Sequence, residues 1–350
     1  MTRGFRRAAF LSVTILIVFY ILKPSIAYAQ NGRSFVYSSR GVVTHWATGS
    51  DLDSVVYMGF NWVRTGVGWD VIESDFTEPP TYHWEIADKI VKDCVARNLQ
   101  ILWGLPYTPQ WASSNGRQNG YPKDDTARRH WRMFVRAVAE RYAKQINYFE
   151  VWNEPNNARF WQGTAEQYVN YILIPAAEEI KAVNPNNEVV APTLMNRRGA
   201  RISVESFFGE LGKLGANKYI DIVSQNVYEK NPKNLVDQFI IGDYECWFVF
   251  CVKKRVGLFD IYDQNGFSGH KVWINEFGWR SDRVGEDVQA KYIVSTFKLL
   301  SKIPRIENAF VYELKDDDRY GARWGMVRGN ELPKTSFRSV SDLFRNYLPR

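Results

Sequence analysis

The run Tyr148-Phe149-Glu150-Val151-Trp152-Asn153-Glu154-Pro155-Asn156 decides the fold of this chain. Its first five residues form a short aromatic and β-branched stretch that reads as a buried strand. The strand breaks at Glu154, because Pro155 and Asn156 favour a turn. Downstream, Lys271-Val272-Trp273-Ile274-Asn275-Glu276-Phe277-Gly278-Trp279 repeats the pattern, with an apolar run ending at a glutamate and a breaker. Both carboxylates therefore belong at the C-terminal ends of strands, the face on which α/β barrels carry their chemistry.

Outward from these two runs, short apolar stretches alternate with amphipathic ones, which is the mark of βα units around a parallel sheet. Strands are expected over residues 41–45, 62–66, 100–105, 148–152, 188–192, 220–226, 272–275 and 308–312. Helical patterns occupy 86–97, 126–144, 165–183, 204–214, 287–300 and 336–347. In the clearest of them Trp131, Phe134, Val135, Val138 and Tyr142 recur at helical spacing with arginines between, and Asp125 reads as the N-cap. Residues 231–269 read as a long irregular connection whose Tyr244, Trp247, Phe248 and Phe250 form a cap or a rim. Eight units give an α/β chain folded as a (β/α)8 TIM barrel, a single catalytic domain, with Glu154 closing the fourth strand and Glu276 the seventh. An open doubly wound sheet is the alternative. It calls for a Gly-rich phosphate loop, and neither G-x-G-x-x-G nor a P-loop lysine motif occurs.

The first residues carry Arg3, Arg6 and Arg7, an apolar stretch over 8–22, Pro24 and the small-residue site Ala27-Tyr28-Ala29. This pattern predicts a signal peptide over 1–29, cleaved after Ala29, followed by a catalytic domain over 30–350 that is secreted or periplasmic. A membrane partner is expected only if the segment stays uncleaved as an anchor. Removing 1–29 lowers Lys+Arg from 45 to 41 against 38 Asp+Glu, so the formal charge falls from +7 to +3 over the 321 residues that remain. The basic balance thus belongs largely to the targeting segment and does not point to nucleic acid, which calls for a clustered basic face. Aromatic residues make up 15% of the chain and include 13 Trp, whose faces stack on sugar rings. Of the three cysteines, Cys94 falls on an apolar helix face and reads as an inert core thiol. The close spacing of Cys246 and Cys251 permits, without requiring, a local disulfide. The four His are scattered, no group has metal-ligand spacing, and neither metal nor cofactor is expected.

Two strand-end carboxylates suit the cleavage of a glycosidic bond. That reaction passes through an oxocarbenium-like state and needs one acid to protonate the leaving oxygen and one carboxylate across the ring. In a retaining enzyme the two stand about 5 to 5.5 Å apart, and the second forms a glycosyl ester. Their surroundings must then differ, so that one starts neutral and the other charged. Arg64, at the end of the second expected strand, is the candidate positive neighbour.

At these residues the chain resembles the retaining glycoside hydrolases of the barrel clan that includes families 5 and 39. Asn153-Glu154-Pro155 is similar to that clan's acid/base motif, and Glu276-Phe277-Gly278 to its nucleophile motif. The longer run from Phe149 to Asn156 is closest to family 39 and its bacterial relatives. The resemblance implies that Glu154 is the acid/base, Glu276 the nucleophile, Asn153 the partner of the sugar 2-hydroxyl, and Tyr228 a donor to the nucleophile. Asn226 stands where the clan often carries His, and Tyr312 lies near the place of a frequent Trp. Trp46, Trp103 and Trp279, with Tyr312, are the stacking candidates, and Trp69, Tyr107, Trp111 and Trp324 also fall near strand ends. Asp70 and Asn156 are read as bonding sugar hydroxyls or as turn formers, and Asp316-Asp317-Asp318 as a solvated loop. The expected partner is a β-linked poly- or oligosaccharide. Two alternatives share the cleft: a non-catalytic carbohydrate-binding barrel, and a transglycosylase using the same carboxylates.

Overall fold

The computed structural model describes residues 39–347 except 197–198, 243, 248–249, 254–255 and 318–320, and leaves the side chains of 244–253 undescribed. The expected signal peptide lies outside the described residues. Among the described residues ten strands follow in order: β1 Gly41–Val43, β2 Trp62–Thr65, β3 Gln100–Gly104, β4 Tyr148–Glu150, β5 Glu188–Met195, β6 Ile222–Asn226, β7 Tyr244–Trp247, β8 Phe250–Lys253, β9 Lys271–Phe277 and β10 Ile306–Val311. Eight of them close into a barrel in the order β1-β10-β9-β6-β5-β4-β3-β2, every neighbour parallel. Each lies in one of the eight expected places, and the expected (β/α)8 barrel is the fold. The limits differ where the backbone turns: β4 stops at Glu150 rather than 152, because Trp152 has φ 69° and cannot continue a strand.

The barrel interior is built on the two-residue period of its strands. Trp62, Tyr148 and Trp273 pack together on the floor, with ring centroids 4.9 to 5.1 Å apart, and Phe310 joins them. Two residues further along the same strands the inward residues are Arg64, Glu150, Asn275 and Tyr312, since i and i+2 share a face. An apolar floor therefore carries a polar layer. The floor keeps water away from that layer, which strengthens its charge interactions.

Outside the barrel, the helix Asp125–Arg141 buries Trp131, Phe134, Val135 and Val138 as its spacing predicts. Its N-cap is Asp124 rather than Asp125: Asp124 has extended backbone, and its carboxylate accepts from the Ala127 N–H at 2.8 Å. Cys94 is fully buried, and burial pushes its thiol up to about 12, in keeping with an inert core thiol. The described residues of 231–269 are largely regular rather than irregular, and the cap or rim expected of Tyr244, Trp247, Phe248 and Phe250 lies outside the described residues and side chains. Asn231 caps a helix over Pro232–Ile240 with Pro232 in its first turn, the hairpin β7–β8 follows, and a second helix spans Leu258–Gln264. The hairpin register pairs Cys246 with Cys251; their side chains lie outside the description. Asp316 also departs from the solvated loop expected: it is buried, accepts from the Gly325 N–H at 2.8 Å and pairs with the buried Lys334 Nζ at 2.8 Å. Among the described residues no helix is long and apolar enough to cross a membrane.

Candidate active site

The chain leaves β4 through a tight turn that aims Glu154 into the mouth of the barrel. Trp152 and Glu154 both adopt positive φ, 69° and 46°, a region that non-glycine residues occupy at a cost and only where their surroundings fix them. The surroundings do so here. The Glu154 N–H donates to the Thr193 carbonyl at 2.9 Å, the Asn157 N–H donates to the Glu154 carbonyl at 2.9 Å, and the Trp152 indole donates to the Phe160 carbonyl at 3.1 Å. Asn156 locks the turn to the next loop. It is fully buried, its amide donates to the Met195 and Ile202 carbonyls, and its oxygen accepts from the Met195 N–H. Of the two readings open for it, the turn former holds, because nothing is left for a sugar.

Opposite, β9 delivers Glu276 beside Asn226 of β6, its register partner. Arg64 holds the centre. Its Nε and Nη2 donate to Glu150 at 2.6 and 2.9 Å, its Nη1 to Glu276 at 2.7 Å, and its Nη2 also to the Asn153 side-chain Oδ1 at 2.9 Å. Burial alone would lower the guanidinium pKa, but the charges of Glu150 and Glu276 outweigh it and hold the pKa above the usual arginine value. The second Glu276 oxygen accepts from the Tyr228 hydroxyl at 2.6 Å. Burial, then the Glu276 charge, raises the phenol well above its ordinary range, so it stays protonated and remains a donor. Each oxygen of Glu276 thus meets one strong donor, one of them cationic.

Glu154 is held differently. Its oxygens accept from two neutral amides, Asn226 Nδ2 at 3.0 Å and Asn157 Nδ2 at 2.8 Å. Burial, followed by the charge of Glu276, raises its pKa, while the two amides and the more distant Arg64 pull the other way. Asn153 commits its carbonyl oxygen to Arg64 and Asn226, which leaves its NH2 as the donor for a ligand.

Around this centre, Tyr312 and Tyr228 meet edge to face at 6.2 Å, and Trp324 contacts both, at 5.0 Å from Tyr228 and 5.8 Å from Tyr312. Gly278 makes this corner possible, since a Cβ there would meet the Tyr312 carbonyl oxygen at 2.3 Å and the Trp324 ring at 3.4 Å. Trp46 is 50% exposed with its indole N–H fixed on the Gly66 carbonyl at 2.8 Å, so one rim aromatic is both rigid and open. His45 bonds the buried Glu313 at 2.8 Å and stands edge-on to Tyr312. Asp70, whose carboxyl burial pushes up to about 6, lies close enough to the Tyr107 hydroxyl to raise it to about 12 behind the effect of burial.

Two expected stacking residues are not at the site. Trp103 is fully buried and packs against Tyr142 of the outer helix layer, because Leu102 takes the inward face of β3 and its neighbour must point out. Trp279 is 5% exposed, donates to the Glu229 carbonyl at 2.7 Å and packs on Phe277 and Tyr292, which leaves no free face. Trp69 and Trp111 likewise pack on each other beside the helix Asp125–Arg141. Sequence reasoning missed Glu150, Asn157 and Asn275. Glu150 carried a signal, an acid at an inward position of an apolar strand, whereas Asn157 looked like any loop amide. Asn275 donates to Glu150 at 2.9 Å and to Thr193 at 3.0 Å, completing the layer under the carboxylates.

A model of the cellulase family, glycosyl hydrolase family 5, matches residues 28–240. A β-xylosidase of Geobacillus stearothermophilus is 26% identical over 137 residues, which is 35% of this chain and 27% of that protein. An endoglucanase of Clostridium saccharobutylicum is 30% identical over 124 residues, 35% of this chain and 24% of that protein. The matched segments thus span about a quarter of each relative. A solved family 39 glycoside hydrolase from the gut symbiont Bacteroides cellulosilyticus WH2 superposes with a TM-score of 0.65 at 19% identity, covering 87% of this chain and 63% of that one, a likeness of fold.

Proposed function

Because the chain belongs to the cellulase family, glycosyl hydrolase family 5, we propose that it is a retaining glycosidase that cleaves a β-linked poly- or oligosaccharide by double displacement. Glu276 attacks the anomeric carbon, while Glu154 gives its proton to the leaving oxygen and then takes one from the water that hydrolyses the ester. The observation that carries this reading is the unequal dressing of the two carboxylates. Arg64 and Tyr228 favour a charged Glu276, and burial beside Glu276 favours a protonated Glu154. Asn153, with its free NH2, is the partner for the 2-hydroxyl, and Tyr312, Trp324 and Trp46 are the aromatic surfaces for sugar rings. The names of the two matched relatives, a β-xylosidase and an endoglucanase, support a β-linked substrate. The signal-like segment before residue 30 supports action after export.

The test is hydrolysis of a panel of aryl β-glycosides and β-linked polysaccharides by the protein from residue 30 onward. Turnover that disappears in Glu276→Ala while glycan binding persists supports the assignment. Unchanged turnover in that variant overturns it.

A further inference from the structure

The rim of the barrel is electrically lopsided. The loop after β3, residues 105–124, holds Arg117 and Lys123 and ends in Asp124, the cap of the next helix; the loop after Glu154, residues 155–164, holds Arg159; and the loop after β5, residues 196–203, holds Arg201. Apart from the capping Asp124, these three stretches contain no Asp or Glu. The loop after β2 is the opposite: residues 66–84 carry Asp70, Glu73, Asp75 and Glu78 and no Lys or Arg.

The three basic stretches are joined into one surface. Asn119 donates to the carbonyls of Ala158 and Arg159 at 3.2 and 3.3 Å, and the Gln162 N–H donates to the Asn119 carbonyl at 2.8 Å. The Ile202 N–H donates to the Asn156 carbonyl at 3.2 Å, and the Arg201 guanidinium donates to the Gly163 carbonyl. The surface borders Glu154 through Asn157, two residues from Arg159.

Its charges are uncompensated. Arg117, Lys123, Arg159 and Arg201 are all exposed. Lys123 Nζ donates to the Trp111 carbonyl at 2.5 Å, and the Arg159 guanidinium lies 5.4 Å from the Phe160 ring. Among the described residues none of the four pairs with a carboxylate, whereas Arg128, Arg132, Arg136 and Arg141 of the adjoining helix all do. Charges left unpaired on one side of a cleft draw in an oppositely charged ligand and fix its direction.

We propose that this rim binds anionic sugar units of the substrate on the leaving-group side of the scissile bond, so that the protein acts on an acidic glycan bearing carboxylates or sulfate esters. The leaving-group placement rests on the reading of Glu154 as the proton donor, because that residue must touch the departing oxygen. On the β2 side Glu78 pairs with Arg129 at 2.6 Å and Glu73 is buried against His130, so the direction of entry follows from the basic rim alone.

The test compares polymers that share one β-linked backbone: neutral hydroxyethylcellulose, carboxymethylcellulose and cellulose sulfate, binding to Glu276→Gln so that nothing is cleaved. The anionic polymers are expected to bind about tenfold more tightly than the neutral one at low salt, and to lose that advantage at molar salt. Whichever of the two binds more tightly names the anion. In the triple variant Arg117→Gln/Arg159→Gln/Arg201→Gln the anionic-to-neutral affinity ratio falls to near one. The salt titration of the protein with its arginines intact gives the answer even if that variant does not fold. Equal affinity for neutral and anionic polymers at low salt overturns the proposal, as does equally tight binding of a single-stranded DNA oligonucleotide, which would make the rim a general anion surface. Loss of hydrolysis on every aryl β-glycoside with the anionic preference intact overturns the glycosidase reading and supports the acidic-glycan surface.

Discussion

Glu154 follows β4 across a tight turn and Glu276 lies at the end of β9 in the same barrel, yet the molecule surrounds them with opposite chemistry. Glu154 meets the amides of Asn157 and Asn226, and Glu276 meets a guanidinium and a phenol. Both are nearly buried, at 7% and 9% exposure, so burial cannot separate them. Donor identity separates them. A cation within hydrogen-bond distance holds a carboxylate ionised, while neutral donors in a buried site beside another negative charge leave the proton favoured. The same contrast explains Glu150, whose deep pair with Arg64 fixes the guanidinium so that its remaining N–H reaches Glu276.

The contrast can be broken most severely at Glu276. Glu276→Ala removes the proposed nucleophile and is expected to lower kcat/KM by about 10⁴-fold or more, read from the initial rates of an aryl β-glycoside. Glu154→Gln comes next: about 10² to 10⁴-fold for substrates with poor leaving groups and much less in the bond-breaking step for activated ones, measured across a leaving-group series. In the unaltered protein the proton must sit on Glu154, so the rate falls as pH rises through its raised pKa. In Glu154→Gln that alkaline limb disappears; its persistence would assign the limb to another group.

Arg64→Met leaves Glu150 and Glu276 buried without their cation. Its expected cost is about 3–5 kcal/mol of stability, seen in the midpoint of denaturant unfolding. The smallest effect sharpens the contrast rather than breaking it. Asn157→Ala removes one donor to ionised Glu154, so its pKa rises further and the alkaline limb moves to higher pH. A shift to lower pH would contradict the role given to Asn157.

The barrel and its two carboxylates were legible because a strand that stops at a glutamate and a breaker announces both an element and its end. Arg64 was legible for a similar reason, as a charge where an apolar strand should continue. What the sequence hid was parity. Trp103 lies near the end of β3 but on its outward face, since Leu102 points inward, and nearness to a strand end says nothing about which face a side chain takes. Glu150 is the converse, an inward residue whose signal is masked by the stronger strand-end pattern at Glu154, four places on. Trp324 reaches the site from a loop, folded back over Gly278, through contacts that no periodicity encodes.

The central claim, that Glu276 forms the ester and Glu154 serves the proton, is tested most directly by trapping the intermediate. Glu154→Gln, given a β-glycoside with an activated leaving group, can be glycosylated but lacks the base for release. Mass spectrometry of the quenched protein is predicted to show one added glycosyl unit, mapped to the peptide carrying Glu276. An adduct on any other residue, or no adduct and a product of inverted anomeric configuration, would contradict the account.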